Sequence, residues 1–245
     1  MRLFLTMSYL GTGYHGWQVQ TNAVTVQQTL QDAIEAIFGS RLPVTGCSRT
    51  DSGVHAKMYC CHIDCPENTG IPPERVPAAL NANLPQDVAV RECRIVPSDF
   101  HARYAVKAKT YEYTVLNTPC RDPFLNAFAW HVRASMDVSA MKQASRLFEG
   151  THDFAGFQSA GSSVEDTVRT VMAAEVRQNG RVITLSITAN GFLYNMVRII
   201  AGTLVDVGLG VKKPEDIPDI IQSRERGLAG KTAPAQGLAL VQVEY

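Results

Sequence analysis

The densest run of reactive side chains is Cys47-Ser48-Arg49-Thr50-Asp51-Ser52-Gly53-Val54-His55-Ala56, with an arginine, an aspartate, a histidine, three hydroxyl groups and a glycine. A carboxylate in such a polar run can act as a nucleophile or a general base. The same residues also suit a plain turn, with Asp51 bonding its own backbone ahead of Ser52-Gly53. Spacing alone leaves both readings open. A second candidate is Arg198, the only charged residue between Gly191 and Asp206. An arginine on an otherwise apolar helix requires a carboxylate or phosphate opposite it, unless it snorkels to the surface. The third is Phe100-His101-Ala102-Arg103-Tyr104 followed by Lys107 and Lys109. Cations there would grip phosphates and rings would stack on bases; the alternative is a solvated surface strand. Tyr111 follows on a strand face with Tyr113, where most tyrosines are core or rim residues.

Other motifs fail on context. Gly11-Thr12-Gly13-Tyr14-His15-Gly16 spells G-x-G-x-x-G after a strand. A dinucleotide site needs a helix opening directly on it and an acid ending the next strand. Here an extended Trp17-Gln18-Val19-Gln20 follows, and Asp32 and Glu35 fall inside a helix. Ser159 misses the G-x-S-x-G elbow by one position. There is no P-loop. His62-Ile63-Asp64 and His152-Asp153 lack a metal-site companion, and the six cysteines contain no C-x-x-C pair. Cys60 and Cys61 would point to opposite faces of a strand, so reduced, mostly buried thiols are expected.

The elements that position these residues follow from periodicity. Residues 2 to 10 alternate as a strand, with Leu3, Leu5, Met7 and Tyr9 on one face. Thr25-Val26-Gln27-Gln28 has the form of a capping box. Val26, Leu30, Ile34, Ile37 and Phe38 then share a helical face, closed by Gly39. Val44 to Cys47 and Lys57 to Ile63 read as strands, Pro72 to Asn81 as a short helix and Val88 to Val96 as a strand. This β-α-β-β-α-β order is the ferredoxin-like pattern. Further on, Lys109 to Leu116 is a strand. Asp137 caps a helix that carries Val138, Met141, Ala144 and Phe148 inward and stops at Gly150. Asn179-Gly180 joins two strands as a hairpin. A long helix runs from Phe192 to Val207, a shorter one from Pro214 to Gln222, and a strand from Leu238 to Glu244 closes the chain. The expected fold is α+β: two ferredoxin-like (RRM-like) subdomains, residues 1–104 and 105–245, with mostly antiparallel sheets; no low-complexity linker marks the boundary, which leaves room for one continuous central sheet.

The chain has 245 residues, enough for one large or two small domains. Its 45% hydrophobic and 19% charged residues exclude a disordered chain. Net charge is zero, which excludes a uniformly basic nucleic-acid binder but leaves room for a local basic groove. The longest apolar stretch, Gly191 to Val205, contains Arg198 and falls short of the ~18 to 20 residues of a membrane span. The opening Leu3-Phe4-Leu5 run has no signal-peptide form. A cytoplasmic protein is the expectation.

At Ser48 to Ala56 the sequence resembles the tRNA pseudouridine synthase A family, whose signature is G-R-T-D-x-G-V-H-A. Five further blocks occur in family order: Tyr9 to Gln20 (YLGTGYHGWQVQ), Leu80 to Pro85 (LNANLP), Phe100 to Tyr113 (FHARYAVKAKTYEY), Gly191 to Arg198 (GFLYNMVR) and Ala233 to Leu240 (APAQGLAL). One departure is Ser48, where the family usually has glycine; it should alter loop flexibility, not chemistry. The resemblance implies the pseudouridine synthase fold, with its active-site cleft on the central sheet. It implies isomerisation of uridine to pseudouridine at positions 38, 39 and 40 of the tRNA anticodon stem-loop. It makes Asp51 the catalytic aspartate and Arg198 its cation, which would keep the carboxylate ionised. Tyr111 would stack on the target uracil. Arg49 would help hold the flipped nucleotide out of its stack, and Phe100, His101, Ala102, Arg103 and Tyr104 would line the RNA groove. No cofactor and no metal are implied, since the reaction is redox-neutral, and the protein would be a homodimer. The competing reading is a non-catalytic RNA-binding module of the same fold, which would gain nothing from a carboxylate beside phosphates. A third, a nucleotide-dependent oxidoreductase, rests only on the glycine-rich turn.

Overall fold

A computed structural model describes residues 1–66, 70–162 and 164–245. Two compact units divide the chain: Met1–Lys107 together with Leu240–Tyr245, and Ala108–Ala239.

The first unit opens with strand β1 (Arg2–Tyr9), followed by helix α1 (Val26–Phe38), β2 (Val44–Gly46), β3 (His55–Asp64), α2 (Val76–Asn81) and β4 (Val88–Val96). This is the β-α-β-β-α-β order that the sequence pattern predicts. β1 lies between β4 and β3, antiparallel to both, and β2 pairs antiparallel with β3. β10 (Leu238–Glu244) takes the place beside β3. The Thr25 hydroxyl caps α1 by accepting from the Gln28 N–H at 3.3 Å. Gly39 ends the helix at φ 71, a left-handed conformation that glycine adopts without Cβ strain. Val26, Leu30, Ala33 and Ile34 form the buried face of the helix.

The second unit contains β5 (Ala108–Asn117), β6 (Trp130–Val132), α3 (Val138–Arg146), β7 (Gly150–Asp153), β8 (Val168–Asn179), β9 (Val182–Ala189), α4 (Met196–Gly208) and α5 (Asp216–Ser223). The strand order is β5-β9-β8-β7, antiparallel at each step, with β6 added parallel to β5. Gly180 turns the β8–β9 hairpin at φ 58. Ile183, Leu185, Ile187 and Ala189 alternate inward along β9, as a strand with one buried face must. Nearly all of α4 is buried. The fold class is α+β, with mostly antiparallel pairing in each unit.

The structure departs from the sequence expectation in several places. The long helix begins at Met196, not Phe192, because Asn195 sits in the left-handed region at φ 63 and breaks helical continuity. Helix α3 ends at Arg146; Gly150 does not stop it but starts β7 at φ 111. Phe100 to Tyr104 lead into and form a turn, not a surface strand. The six cysteines are all free, four of them buried. Burial pushes the Cys60 and Cys93 thiols up to about 12, so they stay protonated and act as small apolar side chains.

Candidate active site

Asp51 lies in the loop between β2 and β3, and main-chain contacts shape that loop. The Val54 N–H closes a turn onto the Asp51 carbonyl at 3.1 Å, and Gly53 adopts φ 79. The glycine-rich turn that resembles a nucleotide motif packs directly against it. The Trp17 N–H donates to the Thr50 carbonyl at 3.0 Å, and the Gly53 N–H to the Tyr14 carbonyl at 3.2 Å. A Cβ on Gly11 would enter the Val54 carbonyl, and one on Gly16 would stand 2.5 Å from the Thr50 oxygen. These glycines serve close approach of two backbones, one reason a chain uses glycine at all. The Gly11 N–H also donates to His55 Nδ1 at 3.0 Å, so that nitrogen is the unprotonated one and His55 is a buried structural residue.

Side chains complete the frame. Thr50 is buried, and its hydroxyl bonds the Tyr9 phenol at 2.8 Å. The Trp17 ring stacks on Tyr59 at 4.0 Å between centroids. Tyr59 donates to the Ser48 carbonyl, and its burial holds the phenol well above its ordinary pKa. Arg49 is exposed on the same loop, and Asp51 is half-buried.

Phe100, His101, Ala102, Arg103 and Tyr104 split into an anchored and an open part. Phe100 packs edge-on against Phe4 at 5.3 Å, and its carbonyl accepts from Arg2 at 2.6 Å. Ala102 is fully buried; its N–H donates to His62 Nδ1 at 3.1 Å and its carbonyl accepts from the Tyr245 hydroxyl at 2.9 Å. Tyr104 is 77% exposed, stacks on His101 at 4.3 Å and lies beneath the Arg103 guanidinium. The open side of this turn therefore offers two rings and a cation.

In the second unit, Arg198 occupies the first turn of α4. Its Nε donates to the Ala233 carbonyl at 2.7 Å and its Nη1 to Asn195 Oδ1 at 2.7 Å. The Ala233 N–H returns to the Arg198 carbonyl at 3.1 Å. Asn195 is in turn held by its Nδ2, which donates to Ser159 Oγ at 2.9 Å. The stretch around Ala233 can lie against α4 because Gly202 and Gly230 leave no Cβ in the way. The Gly230 N–H also donates to Thr203 Oγ1 at 2.8 Å. The next residue of the stretch, Pro234, accepts the Tyr113 hydroxyl at 2.7 Å. Tyr111, on β5, is buried and meets Phe192 edge-to-face at 5.1 Å.

The sequence reading missed the supporting residues Tyr14, Asp87, Asn195 and Ala233. Asn195 had a usable signal, since it stands three residues before Arg198 and therefore on the same helical face. Asp87 had none, because its partner Tyr14 is 73 residues away. Among the described residues, no group of three or more His, Cys, Asp or Glu side chains is placed to hold a metal ion. No described helix is long and apolar enough to cross a membrane.

Comparison with known proteins places this scaffold. The sequence profile of the tRNA pseudouridine synthase family matches residues 5–105 and 144–245. The tRNA pseudouridine synthase A of Thermoanaerobacter sp. (strain X514) is 45% identical over 243 residues, covering 99% of both chains. That of Ruminiclostridium cellulolyticum is 45% identical over 245 residues, covering 100% of this chain and 99% of the other. That of Halalkalibacterium halodurans is 44% identical over 238 residues, covering 97% and 90%. Among solved structures, a Cbf5-Nop10-Gar1 complex aligns with 97% of this chain and 57% of that one, at 12% identity and a TM-score of 0.36, too shallow to carry an argument. An α+β scaffold with an aspartate on a buttressed loop and an arginine fixed on a buried helix is thus matched along most of its length by one class of RNA-modifying enzyme. The chain belongs to the tRNA pseudouridine synthase family.

Proposed function

We propose that this protein isomerises uridine to pseudouridine in tRNA, at positions 38, 39 and 40 of the anticodon stem-loop. The observation that carries the reading is the family match over residues 5–105 and 144–245, with near full-length relatives named tRNA pseudouridine synthase A. The target base must first leave its stack, at a cost of a few kcal/mol. Arg49, exposed on the Asp51 loop, helps hold it out, and the ring and cation side of the Phe100 to Tyr104 segment grips the RNA. Tyr111 supplies the aromatic face for the uracil. The N1–C1′ bond then breaks, the base turns, and a C5–C1′ bond forms; N1 gains a proton and C5 loses one to solvent. Atoms and oxidation state balance without a cofactor.

Asp51 is the catalytic residue in this reading. It attacks uracil C6, attacks C1′, or takes the C2′ proton; all three need an ionised carboxylate. Arg198 is the cation that favours that state. The roles divide between residues 1–104, with Asp51 and Arg49, and 105–245, with Tyr111 and Arg198. The working protein is a cytoplasmic homodimer.

Tritium release from tRNA labelled at uracil C5 tests this. Wild type releases tritium from the anticodon arm, and Asp51→Asn binds the same tRNA but releases none. Binding without release by wild type would reduce the protein to an RNA-binding module of this fold.

A further inference from the structure

The glycine-rich turn does more than fill space beside Asp51. Its Tyr14 carbonyl is a double acceptor, taking the Gly53 N–H and the Ser52 hydroxyl, both at 3.2 Å. Ser52 and Gly53 are the two residues directly after Asp51, so the position of Tyr14 sets that stretch of loop. Tyr14 is itself held at its other end. Its phenol, in a side chain only 6% exposed, donates to Asp87 Oδ1 at 2.7 Å. The Asp87 carbonyl takes the Leu10 N–H at 2.8 Å, so one residue at the start of β4 grips both ends of the turn. Thr29 on α1 also faces the phenol. Burial first, and the Asp87 hydrogen bond second, raise the Tyr14 phenol to about 12, so it remains a donor across the working pH range.

We propose that Tyr14 and Asp87 are positioning residues for Asp51: the Asp87–Tyr14 hydrogen bond fixes the turn whose carbonyl sets the loop on which the catalytic carboxylate rides. The inference rests on the reading of Asp51 as the catalytic aspartate. Neither side chain needs to touch RNA. Misplacement of a reacting group by about 1 Å from a distant change costs on the order of a hundredfold in rate. The effect therefore belongs in the chemical step and not in tRNA binding.

The experiment is single-turnover tritium release at saturating tRNA, with the dissociation constant for tRNA and the thermal midpoint measured on the same samples. Tyr14→Phe and Asp87→Ala each lower the single-turnover constant by about 10- to 100-fold, with tRNA affinity within about twofold of wild type. Asp87→Asn keeps the Oδ1 acceptor and recovers most of the rate. The double variant Tyr14→Phe/Asp87→Ala is no slower than the slower single, because both break one bond. An unchanged rate constant with a lowered midpoint would overturn the proposal and leave a purely structural bond; so would a loss confined to tRNA affinity. Should Tyr14→Phe not fold, the Asp87→Ala and Asp87→Asn pair decides the matter alone, since Asp87 is half-buried at the edge of the unit. Wild type runs alongside: no release from it removes the enzymatic reading itself, whereas release by wild type and equally by the variants removes only this inference.

Discussion

The loop bearing Asp51 is fixed by main chain meeting main chain, whereas Arg198 is fixed by the hydrogen bonds of side chains. In the first case the Gly11 to Trp17 turn lies against Thr50 to Val54, and the partners are N–H and carbonyl groups that every residue type except proline carries. In the second, an asparagine side chain and one carbonyl aim the guanidinium. The difference matters for what the sequence can vary. A backbone-on-backbone contact tolerates most side chains that point away and rejects any Cβ that points in. A side-chain clamp fails when the clamp residue itself is lost. Beside Asp51, intolerance to an added Cβ should therefore fall on Gly11 and Gly16, and beside Arg198 the loss of a clamping side chain should matter most at Asn195.

The largest effect is expected at Gly16. Alanine there must take φ +84 with its Cβ 2.5 Å from the Thr50 oxygen. Left-handed strain and overpacking together cost about 2–5 kcal/mol. Tritium release should fall below detection, and the urea midpoint should drop with an unchanged slope. Gly13→Ala is the control in the same turn, since its nearest neighbour is Asp87 Oδ2 at 4.0 Å. It should stay within about 0.5 kcal/mol of wild type. Equal losses at Gly13 and Gly16 would break the close-approach account.

Next comes Arg198→Lys, which keeps the charge and loses the fork. Lysine cannot reach the Ala233 carbonyl and Asn195 Oδ1 in the arginine geometry. The expected loss is on the order of a hundredfold in single-turnover rate, with about 1–3 kcal/mol of stability from hydrogen bonds to a charged donor. A near-normal rate would show that charge alone suffices and that the clamp is incidental.

Asn195 separates clamp from strain. Asn195→Gly accepts φ 63 but removes both side-chain bonds, to Arg198 and Ser159. Asn195→Ala removes the same bonds and adds left-handed strain of about 1–2 kcal/mol. The two variants should lose similar activity yet differ in unfolding free energy by that amount. Equal stability would mean that the backbone at 195 relaxes when the side chain goes.

This contrast also explains what could be read in advance. Periodicity placed β1, α1, β4 and β9, because burial of one face leaves a two-residue or 3.6-residue record in the chain. Asp51 and Arg198 stood out because each is chemically odd where it sits. The role of Gly11 and Gly16 was invisible, since the residues they abut lie more than thirty positions away and contribute only backbone. The early break before α4 left only a weak trace: asparagine enters the left-handed region more readily than most residues, but Phe192-Leu193-Tyr194-Asn195 carries no further mark of a break. The Phe100 to Tyr104 segment mixes a buried alanine with a 77% exposed tyrosine. Composition identified its rings and cations but not which of them face out.

The smallest effect concerns a tether in the first unit that runs through an ion pair. Arg2 holds Asp64 through two bonds of 2.8 Å and also reaches the Phe100 carbonyl, tying one end of the β1–β3 pair to the segment that leads into Tyr104. The Arg2 hydrogen bond, against an opposing effect of burial, lowers the Asp64 carboxyl below its ordinary 3.8. In the pH window between that lowered value and 3.8 the unfolded chain binds more protons than the folded one, so stability there rises with pH. The tether's contribution is complete above the unfolded value and is lost as pH falls through the folded one. It is modest, because the Asp64 side chain is 62% exposed and water screens the pair. Urea midpoints of wild type and Asp64→Asn should therefore differ by a constant amount from about pH 5 upward and converge in acid. Asp153 and Glu175 are also lowered and titrate in the same range, but they are common to both proteins and cancel in the difference. No gap at any pH would mean that the Arg2 side chain holds this end of the pair through the Phe100 carbonyl and packing, which both proteins share, and that even here main chain, not charge, is the anchor.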